Sequence, residues 1–178
     1  MNEKFFSPFT SLSTERLLLR QLRVTDDMAI SALRSDERVN QYIKRQKQLS
    51  IDGAKAFVEK INNSIAQSKC LYWAICLKDN PDLIGTICLW NFTEDETTAE
   101  VGYELNPSFH KQGIMTEALS CIIHYGFQII GFKMLEALTN KDNESSVRLL
   151  EKHHFIHDTN RKYEDDGYFI IFTLNRQG

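Results

Sequence analysis

The spacing of apolar residues changes several times along the chain, and each change marks an element. Thr14–Leu22 reads as a strand, with Leu17 and Leu19 on one face. Thr25-Asp26-Asp27 is a helix start signal, followed by Met28, Ile30, Ala32 and Leu33, and a second short helix is predicted from Asp36 to Tyr42. Ser50 is placed to cap a third helix, in which Ala54, Phe57, Val58, Ile61 and Ile65 recur at helical spacing through Gln67. The period then switches. Leu71–Leu77 is a nearly continuous apolar run, as in a central strand. Lys78–Asp82 is a turn, Leu83–Trp90 its returning strand, and Ala99–Leu105 a third strand after the polar, acidic loop Asn91–Thr98.

Pairing should stop at Pro107, which has no N–H to donate. Met115, Ala118, Leu119, Ile122, Ile123, Gly126 and Ile130 then make one stripe of a long helix, and Gly131 stands where a C-terminal glycine belongs. Met134–Thr139 reads as a strand. Asp142 or Asn143 can cap a helix running to about His153, and Phe155–His157 and Tyr168–Leu174 close the chain as strands about a turn at Asp165-Asp166-Gly167. Strands and helices are interleaved without repeats or low-complexity linkers. The expectation is a mixed α/β fold around one sheet, with residues 1–13 as an N-terminal lead-in and 14–178 as a single domain.

Composition narrows the function classes. The 178 residues are 42% hydrophobic and 25% charged, ordinary for a globular protein, and the formal charge of −3 gives no overall basic field for nucleic acid. No apolar stretch approaches the ~20 residues of a membrane span, so no membrane partner is expected. Cys70, Cys76, Cys88 and Cys121 form no C-x-x-C pair and read as buried free thiols, which suggests a reducing, cytoplasmic location. The run His153-His154-Phe155-Ile156-His157 has no carboxylate or cysteine to complete a site, and no metal is expected.

The most informative stretch is Glu100 to Leu119, read as strand, short loop and helix start, with Gly113 at the loop–helix junction. That arrangement aims backbone N–H groups and a helix N-terminus at one spot, which suits a phosphate group. The bland alternative is a plain strand–helix turn. Glu117, in the first helical turn, is accounted for by the helix dipole alone.

Two segments resemble the GNAT N-acetyltransferase superfamily. Asn106-Pro-Ser-Phe-His-Lys-Gln-Gly-Ile-Met-Thr-Glu-Ala118 is similar to the family's acetyl-CoA pyrophosphate loop, Gln/Arg-x-x-Gly-x-Gly/Ala. Asn143-Glu-Ser-Ser-Val-Arg-Leu-Leu-Glu-Lys-His-His-Phe155 resembles the Asn-x-x-Ser…Glu-Lys-x-Gly-Phe segment of the Rim-type branch, which acetylates N-terminal amines of ribosomal proteins. Thr14-Glu-Arg-Leu-Leu-Leu-Arg20 looks like that branch's first strand. The sequence departs from the pattern at His110 (usually Gln or Arg), Met115 (usually small), His154 (usually Gly) and Leu150, where many members carry a tyrosine.

The resemblance implies a mostly antiparallel twisted sheet of about seven strands flanked by helices. Its fourth and fifth strands, here 99–105 and 134–139, would splay apart to hold the pantetheine arm. It implies acetyl-CoA as co-substrate, with cofactor contacts from the backbone at Leu105, from His110, Lys111, Gln112, Gly113, Ile114, Met115 and Thr116, and from Asn143 and Ser146. Ser146 is the candidate proton donor to the departing thiolate, since Leu150 cannot serve; capping of the following helix is the plain alternative for Asn143 and Ser146. Glu104 is the candidate general base, alone or through water, against the plain reading of a paired carboxylate; Glu100 shares its strand face. The acceptor pocket is expected among Arg34, Arg38, Tyr42, Trp90, Phe92 and the acidic Glu94–Glu96, which would attract a cationic amine. The expected activity is direct acetyl transfer, in a ternary complex, to a primary amine, a protein or peptide α-amine first. A small amine (polyamine, amino acid or aminoglycoside) and a catalytically silent acyl-CoA-binding module are the alternatives. The resemblance also leaves a homodimer open.

Overall fold

The apolar run Leu71–Leu77 is buried on both faces, and this organises the molecule. In the computed structural model, which describes residues 5–45, 50–163 and 167–177, Leu71 through Cys76 are all buried. Trp73 meets Tyr125 edge-on at 5.7 Å, and Tyr72 meets Phe57 edge-on at 5.9 Å. Neighbouring residues of a strand point to opposite faces. The helix that carries Phe57 and the helical segment that carries Tyr125 therefore cover opposite sides of the sheet.

The elements in chain order are β1 (Leu12–Ser13), β2 (Leu17–Arg20), α1 (Asp27–Ser35), α2 (Glu37–Asn40), α3 (Ile51–Ala66), β3 (Leu71–Leu77), β4 (Asn80–Trp90), β5 (Thr98–Leu105), α4 (Ile114–His124), β6 (Met134–Asn140), α5 (Glu144–Lys152), β7 (Ile156–His157) and β8 (Phe169–Asn175). The eight strands form one sheet in the order β1-β2-β3-β4-β5-β6-β8-β7, mixed α/β and mostly antiparallel as expected. Only β5 and β6 run parallel, joined through α4. A π-helical turn, Tyr125–Ile130, extends α4 to Gly131, whose left-handed backbone (φ 97°) ends the helix where the sequence places its stop.

Three expectations are revised. The first full strand is shorter than predicted, Leu17–Arg20, because the chain turns at Glu15–Arg16 and a two-residue strand, Leu12–Ser13, folds back on it. Residues 5–13 are built into the fold: Phe5 and Phe6 are buried, Phe9 packs on Trp73, and the Trp73 indole donates to the Thr10 carbonyl at 2.9 Å. Three phenylalanines supply enough apolar area to dock a segment that carries no periodic pattern. Cys88 and Cys121 are half-buried, whereas Cys70 and Cys76 are buried, and all four are free thiols. The predicted turn at Asp165-Asp166-Gly167 lies largely outside the described residues.

β2 is tied to the start of α1 by a buried pair: the Arg20 guanidinium meets the Asp26 carboxylate through two bonds of 2.8 Å, and also donates to the Pro81 carbonyl. Removing one partner of such a pair leaves an uncompensated charge. At the far end, α5 closes at His154, which adopts φ 65°. A left-handed residue with a Cβ carries a steric cost. His154→Gly is therefore expected to stabilise the fold by about 1 kcal/mol, raising Tm by ~2–4 °C. An unchanged or lower Tm in thermal unfolding contradicts that strain.

Candidate active site

The site begins where β5 and β6 separate. Their parallel register covers only Thr98↔Met134, Ala99↔Leu135 and Glu100↔Glu136. Beyond it β5 stays with β4 as far as Gly85↔Leu105, while β6 stays with β8 as far as Asn140↔Phe169. Two ribbons diverge and a wedge opens between them. The Asn106 N–H donates to the Ile84 carbonyl, on the β4 side. By alternation, the main-chain groups of Val101, Tyr103 and Leu105 face the wedge.

The wedge widens into a cleft of about 1040 Å³. Val101–Leu105 form one wall and Ala137–Asn140 with Asn143 and Ser146 the other; His110, Lys111 and Gly113–Thr116 close one end. Most of the cofactor-contact residues expected from sequence are thus brought together. Gln112 is the exception, since it does not line the cleft. Its side chain donates to the Ser108 carbonyl at 3.0 Å and its own carbonyl accepts from Arg16 at 3.0 Å.

The loop before α4 is shaped by its backbone. Asn106 caps a single 3-10 turn, Pro107–Phe109, by accepting from the Ser108 N–H at 3.0 Å. Lys111 (φ 60°) and Gly113 (φ 76°, ψ 4°) then both take left-handed conformations before Ile114 starts the helix. Two such residues within three turn successive N–H groups toward one side, a concavity suited to an anion, and the helix dipole adds to it. His110 lacks the arginine or glutamine of the family pattern. Its Nε2 bonds the Leu105 carbonyl at 3.1 Å, a partner the sequence did not suggest. Met115 is largely buried in the core and contributes only a small part of the cleft wall. Glu117 does more than the helix dipole requires: its carboxylate accepts from the Thr14 hydroxyl, the Arg16 N–H and the Arg16 guanidinium, pinning α4 to the β1–β2 corner.

Tyr103 and Glu104 are sequence neighbours with opposite surroundings. The registers Trp73↔Ile87↔Tyr103 and Ala74↔Thr86↔Glu104 put them on opposite faces of the sheet. On the α4 face, the Tyr103 hydroxyl lies 2.8 Å from the Ser146 hydroxyl. Burial pushes the Tyr103 phenol up to about 12, only partly countered by the bond from Ser146, so both hydroxyls keep their protons at neutral pH. Ser146 is 8% exposed, and its N–H is capped by Asn143 at 3.2 Å. Capping thus occupies the Asn143 carbonyl oxygen and leaves its amide NH₂ to serve the cleft. Leu150, one turn and more along α5, is fully buried in the core, so that position packs and does not reach the cleft.

On the other face, Glu104 meets two guanidinium groups. Arg45 binds it through two bonds of 2.5 and 3.0 Å, and Arg34, stacked 4.1 Å above Phe57, adds a third at 3.4 Å. Arg45 is itself oriented by Asn40 at 2.6 Å. Oε1 of Glu104 thus takes two donors and Oε2 one. Among the described residues this leaves Oε2 one further acceptor position. Glu100, on the same face, bonds Asn91 at 3.2 Å and does not line the cleft; burial raises its carboxyl above the ordinary range.

The acceptor side differs from the sequence expectation. Arg38, Tyr42 and Trp90 line the cleft, whereas Phe92 and Glu94–Glu96 do not. Phe92 stacks on Phe132 at 5.8 Å, and the Asp95 carboxylate is engaged by Thr93 and Thr97. Tyr103 is the site residue that sequence reasoning missed. The available signal was the strand's period of two, which puts a tyrosine on the face that α5 covers.

A strand edge left open inside a sheet, with an anion-shaped loop and helix start at its mouth, makes a cleft suited to an extended ligand that carries a phosphate group. The chain belongs to the acetyltransferase (GNAT) domain family, which residues 16–156 match. The uncharacterized N-acetyltransferase YoaA of Bacillus subtilis (strain 168) is 33% identical over 172 residues, covering 92% of this chain and 97% of that protein. Among solved structures, RimL, a ribosomal L7/L12 α-N-protein acetyltransferase in complex with coenzyme A, superposes with a TM-score of 0.80 at 16% identity, covering 93% of this chain and 98% of that one. Ribosomal-protein-S5-alanine acetyltransferase from Vibrio fischeri superposes with a TM-score of 0.76 at 18% identity, over 93% and 96% of the two chains. The protein is an N-acetyltransferase of this family. No helix among the described residues is long and apolar enough to cross a membrane.

Gly113 tests the loop. A Cβ there would sit 3.4 Å from the Arg16 guanidinium, an ordinary contact, so the cost of Gly113→Ala is conformational. The variant is expected to fold with a loss of about 1 kcal/mol, ~2–4 °C in Tm. Wild-type stability contradicts the left-handed requirement.

Proposed function

We propose that the protein transfers the acetyl group of acetyl-CoA directly to a primary amine, in a ternary complex, and that the amine is the α-amine of a protein or peptide. The observation that carries this reading is the three-residue limit of β5–β6 pairing, which leaves a row of main-chain groups facing a cleft. The residues fit the coenzyme. The N–H groups from Lys111 to Thr116 would hold the pyrophosphate, with the Lys111 ammonium adding charge. The main chain at Tyr103 and Leu105, continuing the sheet on one side only, would pair with the pantetheine arm as an added strand, and the Asn143 amide would donate to it. The coenzyme supplies an activated thioester.

The chain's own groups then divide the proton work between two faces. Glu104, through the remaining position on Oε2, accepts the proton of the attacking amine directly or through a water; Arg45 and Arg34 hold the carboxylate in place. Ser146, oriented by its bond to the Tyr103 hydroxyl, donates toward the departing sulfur, and the proton that Glu104 took from the amine returns through water to leave both hydroxyls and the carboxylate as they began. Proton transfer by a placed group typically contributes ~10²–10⁴-fold. Support for a peptide acceptor comes from the Rim-type fold neighbours, which act on ribosomal proteins by name.

Ser146→Ala and Tyr103→Phe are expected to lower kcat by at least about tenfold while leaving coenzyme A affinity within about threefold, and Glu104→Gln to lower kcat by ~10²-fold. Steady-state thiol release and calorimetric titration with coenzyme A separate the two quantities. Unchanged kcat in Ser146→Ala and Glu104→Gln contradicts both role assignments.

A further inference from the structure

The sheet face that carries Glu104 loses its cover step by step along β4. Thr86 is 2% exposed, Cys88 is half-buried and Trp90 is 46% exposed. A single exposed apolar side chain is ordinary on a protein surface. Trp90 differs because it lines the cleft, together with Gly102 and Glu104.

The register places the indole. Trp90 stands opposite Glu100, Cys88 opposite Gly102 and Thr86 opposite Glu104. A Cβ built on Gly102 would lie 3.7 Å from the Trp90 Nε1 and 3.2 Å from the Cys88 sulfur. The indole therefore leans across its diagonal neighbour, along β5 toward Glu104. From Gly102 to Glu104 is one step of the pleat on the same face, about 7 Å. The Gly102 backbone is not left-handed, so the missing side chain serves space and not conformation. The two tryptophans also differ. Trp73 donates its N–H to the Thr10 carbonyl at 2.9 Å, whereas the Trp90 N–H has no hydrogen-bond partner among the described residues. An indole nitrogen donates and cannot accept, so an oxygen entering the cleft is the partner that suits it.

We infer that Trp90 and Gly102 seat the first residue of the acceptor peptide: the Trp90 indole N–H donates to the carbonyl oxygen beside the α-amine while the amine faces Glu104. The inference rests on the peptide-acetylation reading above and deepens it, by naming the group that tells an α-amine from an alkylamine. In a peptide the first carbonyl oxygen lies three bonds from the terminal nitrogen. One aminoacyl unit with a hydrogen bond at each end matches a carboxylate and a donor one pleat step apart. The bare floor at Gly102 lets the acceptor backbone pass close to β5. A polyamine nitrogen is flanked by methylenes and leaves the indole N–H unused.

The test gives the full-length protein acetyl-CoA and a pool of lysine-free pentapeptides with varied first residues, and follows thiol release. The peptide acetylated fastest is compared with its analogue in which a trans alkene replaces the first peptide bond, which keeps the shape and removes the carbonyl. Spermidine and butylamine are the alkylamine controls. Trp90→Phe keeps a ring and removes the N–H. It is expected to lower kcat/KM for the peptide at least about fivefold and to leave the alkene analogue within about twofold of wild type. Gly102→Val, which fills the floor, is expected to lower kcat/KM for both. An unchanged Tm shift on adding coenzyme A shows that each variant still folds and binds coenzyme. In Trp90→Phe, equal losses with peptide and alkene, or no loss with the peptide, overturn the role of the indole N–H and leave peptide acetylation intact. Turnover of spermidine or butylamine with no peptide acetylated overturns the peptide reading. Thiol release with none of these amines overturns both.

Discussion

β5 has two partners that lead in different directions. It is antiparallel to β4 as far as Leu105, and the Asn106 N–H still reaches back to Ile84. Its parallel pairing with β6 lasts three residues, because β6 is held to β8 along all seven of its own. One strand cannot follow both ribbons once they diverge. The result is an interior sheet edge whose N–H and C=O groups face a cleft, a costly arrangement unless water or a ligand satisfies them. Every other part of the site is placed relative to that opening: the left-handed loop at its mouth, α5 along one wall, and the Arg45–Glu104 pair at its lip.

On the proposed reading, the opening lets two adjacent residues, Tyr103 and Glu104, serve one reaction. Tyr103 and Glu104 are consecutive, so the pleat sends them to opposite faces. On one face two hydroxyls, Tyr103 and Ser146, touch in a buried setting that keeps both protonated. On the other, a carboxylate is held by guanidiniums near solvent. At a closed sheet these faces would be isolated from each other. At the wedge both residues line one cleft, and on the proposed reading the thioester lies there.

Much of this was legible in the sequence. Leu71–Leu77 announced a strand covered on both sides, Gly131 the end of a long helix, and Gly113 the junction that the loop needs. The resemblance located the wedge between the strands at 99–105 and 134–139. What was not legible depended on long-range contact. Phe5, Phe6 and Phe9 show no period, so their docking had to be seen. Arg45 lies far from Glu104 in the chain, and no local pattern links them. The acidic run Glu94–Glu96 suggested a cation site, but Asp95 is spent on Thr93 and Thr97 within its own loop. Leu150 looked like a lost catalytic group, whereas its burial shows a core position.

On the proposed reading, the unpaired edge of β5 and the loop before α4 receive the coenzyme. Amide hydrogen exchange, with and without saturating coenzyme A, reads this directly. The Tyr103 and Leu105 amides and those from Lys111 to Thr116 are expected to slow markedly, while amides of β3 do not change. Slowing confined to other parts of the molecule, with these amides exchanging as before, would contradict it.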